Sequence, residues 1–150
     1  MNYKQVFTTN LEFSDNRPTV VLIDEKPKIK YIGKNISRKL ISNYRVDSGL
    51  INDSGVKCDL LLFVSKQNES PDLYFVELKG QDISHAIKQF NRSIDILFRN
   101  IEYKTVNCRL VMTKVRTPDI NTIEMLRLRE RLKKLNGTFK KQNIQLEEDL

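Results

Sequence analysis

The sequence predicts an α/β fold in which a central mixed β-sheet is flanked by helices. Three observations carry that reading. Short apolar runs bounded by turn residues crowd the stretch from 44 to 79, as in a β-meander. Two later stretches repeat their apolar residues at helical spacing. A short apolar run, Thr105–Met112, lies between those two stretches. From the middle of the chain onward the order is helix, three strands, helix, strand, helix, which suits a layered α/β sandwich.

Each element has its own signal. The first dozen residues are ambiguous. Thr19–Asp24 is rich in Val, Leu and Ile and reads as a strand, Glu25–Lys28 as a turn around Pro27, and Ile29–Ile32 as a second strand. Over Asn35–Asn43 a short helix is expected, because Ile36, Leu40, Ile41 and Tyr44 share one helical face while Lys34, Arg38 and Lys39 lie off it. Tyr44–Asp47 runs into Gly49, and Asn52-Asp53-Ser54-Gly55 is a strong turn signal. Val56–Val64 and Asp72–Lys79 follow as strands around the polar loop Ser65–Pro71, which gives a three-strand antiparallel meander. Gly80 ends it. Asp82 or Ser84 caps a helix reaching about Asn100, with Ile83, Ile87, Phe90, Ile94, Leu97, Phe98 and Ile101 as its stripe. After the strand Thr105–Met112, Pro118 and Asp119 open a second helix, striped by Ile123, Leu126, Leu128, Leu132 and Leu135 and stopped by Gly137. The tail from Gln142 to Leu150 suits a short strand ending in acids.

Size and composition bound the function. The 150 residues suit one domain, 1–150, with a core over about 34–113 and a C-terminal helix and tail over 118–150. The apolar fraction of 39 % and the charged fraction of 30 % lie outside the disordered regime. No apolar run reaches membrane-spanning length and the first residues lack a signal-peptide pattern, so no membrane association is expected and the cytoplasm is the expected location. Cys58 and Cys108 sit in apolar contexts as buried thiols, and the lone His85 cannot complete a zinc site with them. The net charge of +7 favours polyanionic partners, nucleic acid first.

The chemistry concentrates in Asp59, just before Leu60–Val64, and in Glu77-Leu78-Lys79, just after Leu73–Val76. Charges beside such runs are costly to bury unless they are paired or bind metal. Residues two apart on a strand share a face, so Glu77 and Lys79 are expected to project together, with Asp59 reaching them from the neighbouring strand. Asp59, Glu77 and the Leu78 backbone carbonyl are the oxygen donors that Mg²⁺ or Mn²⁺ takes while leaving positions for water and phosphate. Lys79 suits either orientation of an attacking water or stabilisation of the charge on phosphorus.

Cys58-Asp59, a loop, then Phe75-Val76-Glu77-Leu78-Lys79-Gly80 and a helix together resemble the Asp…Glu-x-Lys core of the restriction-endonuclease-like nuclease superfamily. The element order from about 34 to 113 is similar to that core fold. The resemblance implies Mg²⁺ or Mn²⁺ bound by Asp59 and Glu77, and hydrolysis of DNA, less often RNA, assisted by Lys79. Gln89 stands where several branches of the superfamily carry a helix glutamine. Cys58 replaces the proline of the family's name-giving motif. The Asn35–Asn43 stretch lacks the acid that many members carry on the first core helix. Asp47 is the nearest extra acid, with Glu25 and Asp53 further off, and without one of them a one-metal site is the better expectation.

Other candidates are secondary. His85 lies one helical turn before Gln89 and reads as an exposed polar position. Lys34, Arg38, Lys39, Lys88 and Arg92 are candidate contacts to a nucleic-acid backbone. Arg127, Arg129, Arg131, Lys133, Lys134, Lys140 and Lys141 form the densest basic stretch, interrupted by Glu124 and Glu130. The Met125, Leu128, Leu132, Leu135 spacing is compatible with a homodimer seam as well as with packing inside one chain. The expectation is thus a metal-dependent nuclease acting on DNA, aided by dimerisation or a targeting protein. The alternatives are a ribonuclease of the same fold and a non-catalytic nucleic-acid-binding scaffold.

Overall fold

The structure is a computed structural model that describes residues 7–24, 29–80, 82–113 and 122–150. Its strands are β1 Leu11–Asp15, β2 Thr19–Ile23, β3 Lys30–Lys34, β4 Leu40–Arg45, β5 Leu60–Ser65, β6 Asp72–Gly80, β7 Thr105–Met112, β8 Phe139–Asn143 and β9 Gln145–Asp149. The helices are α1, Ile83–Leu97, which tightens into a 3-10 turn over Phe98–Asn100, and α2, Ile123–Lys134. A six-stranded sheet runs β1-β4-β5-β6-β7-β8, and a three-stranded sheet runs β2-β3-β9.

The large sheet is mixed. Strands β4, β5 and β6 form an antiparallel meander as expected, but β4 spans Leu40–Arg45 in place of Tyr44–Asp47 and β5 starts at Leu60 in place of Val56. Crossovers through α1 and α2 make β6–β7 and β7–β8 parallel. Strand β7 is buried from Val106 to Met112, as its continuous apolar reading requires of a central parallel strand. One face of this sheet packs Leu61, Leu73, Phe75, Val106, Cys108 and Leu110 against Ile87, Phe90 and Ile94 of α1 and Met125, Leu128 and Leu132 of α2. The other face packs Ile41, Leu62, Val64, Val76, Leu78 and Val111 against Val20, Leu22, Tyr31 and Leu146 of the small sheet. The layers are therefore helices, large sheet, small sheet.

Several sequence expectations change here. Residues 35–43 are not a helix. Asn35 is fully buried, and its side chain bonds the backbone of Lys39 in both directions, closing a turn before β4. Ile41 and Asn43 then alternate inward between β1 and β5, while Ile36 is 74 % exposed. Cross-strand partners on both edges override a weak helical pattern of four residues, Ile36, Leu40, Ile41 and Tyr44. Helix α1 follows its prediction, capped by Asp82, whose Oδ1 accepts the Ser84 N–H at 2.9 Å.

In α2 the buried stripe is Met125, Leu128 and Leu132, whereas Ile123 and Leu126 are exposed. The residues proposed for a dimer seam are thus used inside the chain. Pro118 and Asp119 lie outside the described residues, and Thr122 is the cap, its Oγ1 accepting from the Met125 N–H. Gly137 does follow the helix, and a Cβ there would collide with the Val106 carbonyl.

The tail is two strands in two different sheets, turning at Ile144 with φ +67°. A buried network ties them together. Arg109 Nε on β7 donates to both oxygens of Glu148 on β9 at 2.8 Å, and Tyr31 Oη donates to Glu148 at 2.8 Å. Both charged side chains are buried, so the pair fixes where the small sheet sits on the large one. Among the described residues no helix is long and apolar enough to cross a membrane.

Candidate active site

Strand β6 outruns its neighbour. Its pairing with β5 stops at Leu60↔Val76, so Glu77 to Gly80 continue along β7 alone. Asp59, the residue before β5, fills the resulting gap: its Oδ2 accepts the Leu78 N–H at 2.8 Å. Its own carbonyl accepts from Val46 N and Asp47 N at 2.9 and 3.4 Å, which draws the segment after β4 to the same place.

Glu77 is 5 % exposed, and its Oε2 is buried without a hydrogen-bond partner. Burial pushes its carboxyl up to about 10, reinforced by the Asp59 carboxylate within hydrogen-bonding reach and by the charge of Asp47. Two acids forced together at a strand end, one kept neutral by its surroundings, are poised to take up a cation in exchange for a proton.

Lys79 departs from the pleat. The register slips between Leu78 and Gly80, and Lys79 has φ +67°, so it is the extra residue of a β-bulge. The bulge breaks the pleat on which the expected shared face of Glu77 and Lys79 rests, yet both side chains line one cavity. The Lys79 ammonium lies 2.8 Å from Asp24 Oδ2, at the end of β2 on the small sheet. That oxygen is buried and lacks an aligned hydrogen bond, so the contact is an ion pair by distance only.

Two cavities meet at this lysine. One, of about 430 Å³, is lined by Glu77, Lys79, Gly80, Asp82, His85 and Gln89. The other, of about 420 Å³, is lined by Asp24, Arg45, Asp47, Asp59, Leu78 and Lys79 among others.

Helix α1 holds Asp59 in position through the preceding loop. Gln89 Nε2 donates to the Lys57 carbonyl at 3.0 Å, and the buried Ser93 Oγ accepts the Cys58 N–H at 3.0 Å. Arg92 donates to the Val56 carbonyl and pairs with Asp53 at 2.6 Å. Gln89 therefore lines the site and also braces it. Cys58 is fully buried, and burial raises its thiol well above the ordinary range, as expected of an inert core cysteine.

The structure brings Asp59, Glu77, Lys79, Gln89 and His85 together, and Asp47 with them, although Asp47 is exposed and lies 3.6 Å from Lys57. Asp53 is committed to Arg92, and Glu25 lies outside the described residues. Lys34, Arg38 and Lys39 stand elsewhere. Lys34 ends β3 against Glu147, and Arg38 and Lys39 precede β4 at the end opposite Arg45. Of the basic residues on α2, Arg129 is spent on the Phe139 carbonyl and Arg131 on Asn91 and Asp95.

The residue missed from sequence is Asp24. Its only signal was an acid directly after an apolar strand, the mirror of Asp59 before one. Among the described residues no three His, Cys, Asp or Glu side chains are grouped to hold a metal ion. No protein-family model, curated protein or solved structure matches this chain.

Proposed function

We propose that this protein is a restriction-endonuclease-like, Mg²⁺- or Mn²⁺-dependent nuclease that hydrolyses phosphodiester bonds, with DNA the favoured substrate. One observation carries the reading: a buried Glu77 carboxyl, its Oε2 without a hydrogen-bond partner, against Asp59 at the open end of β6. A structural salt bridge does not explain an acid left buried without a counter-charge, because such an acid destabilises the fold. The meander, the α1 crossover and the parallel β7 support the strand-strand-strand-helix-strand part of the core order that the motif implies, while the first core helix expected at 35–43 is replaced by a turn and strand β4.

The donor set fits a hard cation: Asp59, Glu77 and the Leu78 carbonyl, on the backbone residue that Asp59 already binds. Such a cation lowers the pKa of its bound water and offsets charge on the phosphate. The chain supplies the rest. Lys79, on the wall common to both cavities and anchored by Asp24, faces the phosphate or the attacking water. Gln89, through Lys57, keeps the Asp59 loop against β6. With two acids and one carbonyl as ligands, a single-metal site is the better description.

The test is cleavage of single- and double-stranded DNA and RNA by wild type, Glu77→Ala and Lys79→Ala, with Mg²⁺, Mn²⁺ or EDTA. Metal-dependent cutting of DNA that is lost in both variants is the expected result. Cutting that survives Glu77→Ala refutes the site. Cutting confined to RNA makes the protein a ribonuclease. Binding without cutting under every metal leaves a nucleic-acid-binding scaffold.

A further inference from the structure

Among the described residues at the catalytic end of the sheet, most cations are paired, the exposed Lys88 on α1 excepted. Arg45 pairs with Glu12, Lys57 with Asp47, Lys79 with Asp24 and Arg92 with Asp53, in a neighbourhood that also holds Asp59. A polyanion is held there only weakly, so its affinity must come from another surface.

The opposite end of β4 and β5 provides one. Leu40 pairs with Ser65, which sets Arg38 and Lys39 beside Lys66 across the two strands. These three side chains border a cavity of about 590 Å³ that also presents the amides of Asn16, Gln67 and Asn68. Its one acid, Glu69, is turned to Lys104 at 3.7 Å. Among the described residues neither Lys39 nor Lys66 has an acidic partner, and Arg38 spends one nitrogen on the Asn16 carbonyl.

The mounting is rigid. Buried Asn35 accepts from Lys39 N, donates to the carbonyls of Lys39 and Arg17, and donates its own N–H to the Pro18 carbonyl at 2.8 Å. Arg38 has left-handed backbone at φ +53°, which is uncommon for such a residue, while Asn68 at φ +63° is an ordinary turn asparagine.

We infer that Arg38, Lys39 and Lys66 form a second contact to the backbone of duplex DNA, remote from the scissile phosphate. Five residue steps separate Leu40 from Arg45, which at about 3.3 Å each is about 17 Å. That is the axial rise of about five base pairs at 3.4 Å per step. Two exposed cations, Arg38 and Lys66, and the half-buried Lys39, spread across two strand ends, suit a polymer backbone rather than a small enclosed anion. The inference rests on the nuclease reading for its substrate.

The experiment is binding of a fluorescent 20-base-pair duplex in EDTA across a salt series, with cleavage measured separately in Mg²⁺. For Arg38→Ala/Lys39→Ala/Lys66→Ala the slope of log K against log salt falls by about three, about one per lost phosphate contact, uniformly across sequences. In cleavage, KM rises while kcat at saturation holds. Lys66→Glu alone, at an exposed position, reproduces part of the loss if the triple variant folds poorly. Lys133→Ala/Lys134→Ala on α2 controls for net charge. An unchanged slope in both patch variants, an equal loss in the α2 control, or a wild type that does not bind the duplex overturns the inference. Loss of binding at the patch in a protein that never cleaves overturns the nuclease reading and leaves the patch standing.

Discussion

Replacing Glu77 by glutamine should make the protein more stable while abolishing cleavage. In the fold the carboxyl is held protonated up to about pH 10, whereas an ordinary glutamate titrates at 4.5. Between those values the unfolded chain releases a proton that the folded chain keeps, so unfolding gains free energy as pH rises. The sign follows: the glutamate costs nothing below pH 4.5, and its penalty grows up to about pH 10. At pH 7, two and a half pH units at about 1.4 kcal/mol each give a penalty of about 3 kcal/mol. Glutamine has nearly the same shape and stays uncharged at every pH, so it fills the same place without the proton linkage. Urea denaturation at pH 5, 7 and 9 should give a Glu77→Gln advantage near zero at the first pH and growing by about 1.4 kcal/mol per pH unit. At pH 7 this corresponds to a Tm rise of about 6 to 12 °C. Saturating Mg²⁺ should stabilise wild type and not the variant, since it binds only the folded acid pair. Stability differences that do not change with pH, or a variant less stable than wild type at pH 9, would refute the account of Glu77 as a buried acid held for function.

Three further outcomes follow from the same geometry. Asp24→Asn removes the anchor of the Lys79 ammonium: cleavage should fall tenfold or more, while the melting free energy moves by less than about 1 kcal/mol, as for other partly exposed pairs. Unchanged turnover would reduce that pair to a resting contact. Ser93→Ala leaves the buried Cys58 N–H without its acceptor, which costs about 1 to 3 kcal/mol and loosens Asp59; metal affinity measured by calorimetry should drop along with stability. Arg109→Met leaves the buried Glu148 with only Tyr31 and the exposed Lys140 at 3.3 Å, and should cost about 3 kcal/mol in denaturant unfolding, with much of the loss recovered in the double variant Arg109→Met/Glu148→Gln.

How much of this was legible follows from the range of the interactions. The meander, α1 and β7 were readable because their signals are local: turn residues at 52–55, an Asp cap, an apolar run bounded by polar loops. Asp59, Glu77 and Lys79 were readable because charges beside apolar strands are conspicuous. Residues 35–43 misled because so few apolar residues, Ile36, Leu40 and Ile41 with Tyr44 beyond, do not fix a period, and only β1 and β5 on either side decide for a strand. The bulge at Lys79 stayed hidden because it is set by how β6 pairs with β7, which no spacing reveals.

The sequence by itself determined which residues carry charge into apolar strands and which segments have a strand or helix period. Those properties belong to a residue and its near neighbours. Only the tertiary structure decided that Asp59 closes the end of β6, that Asp24 meets Lys79, and that Arg38 and Lys39 face Lys66 rather than the acids. Such placements depend on strand register and on the packing of one sheet against another. They arise from contacts between residues far apart in the chain, where sequence spacing fixes neither distance nor direction.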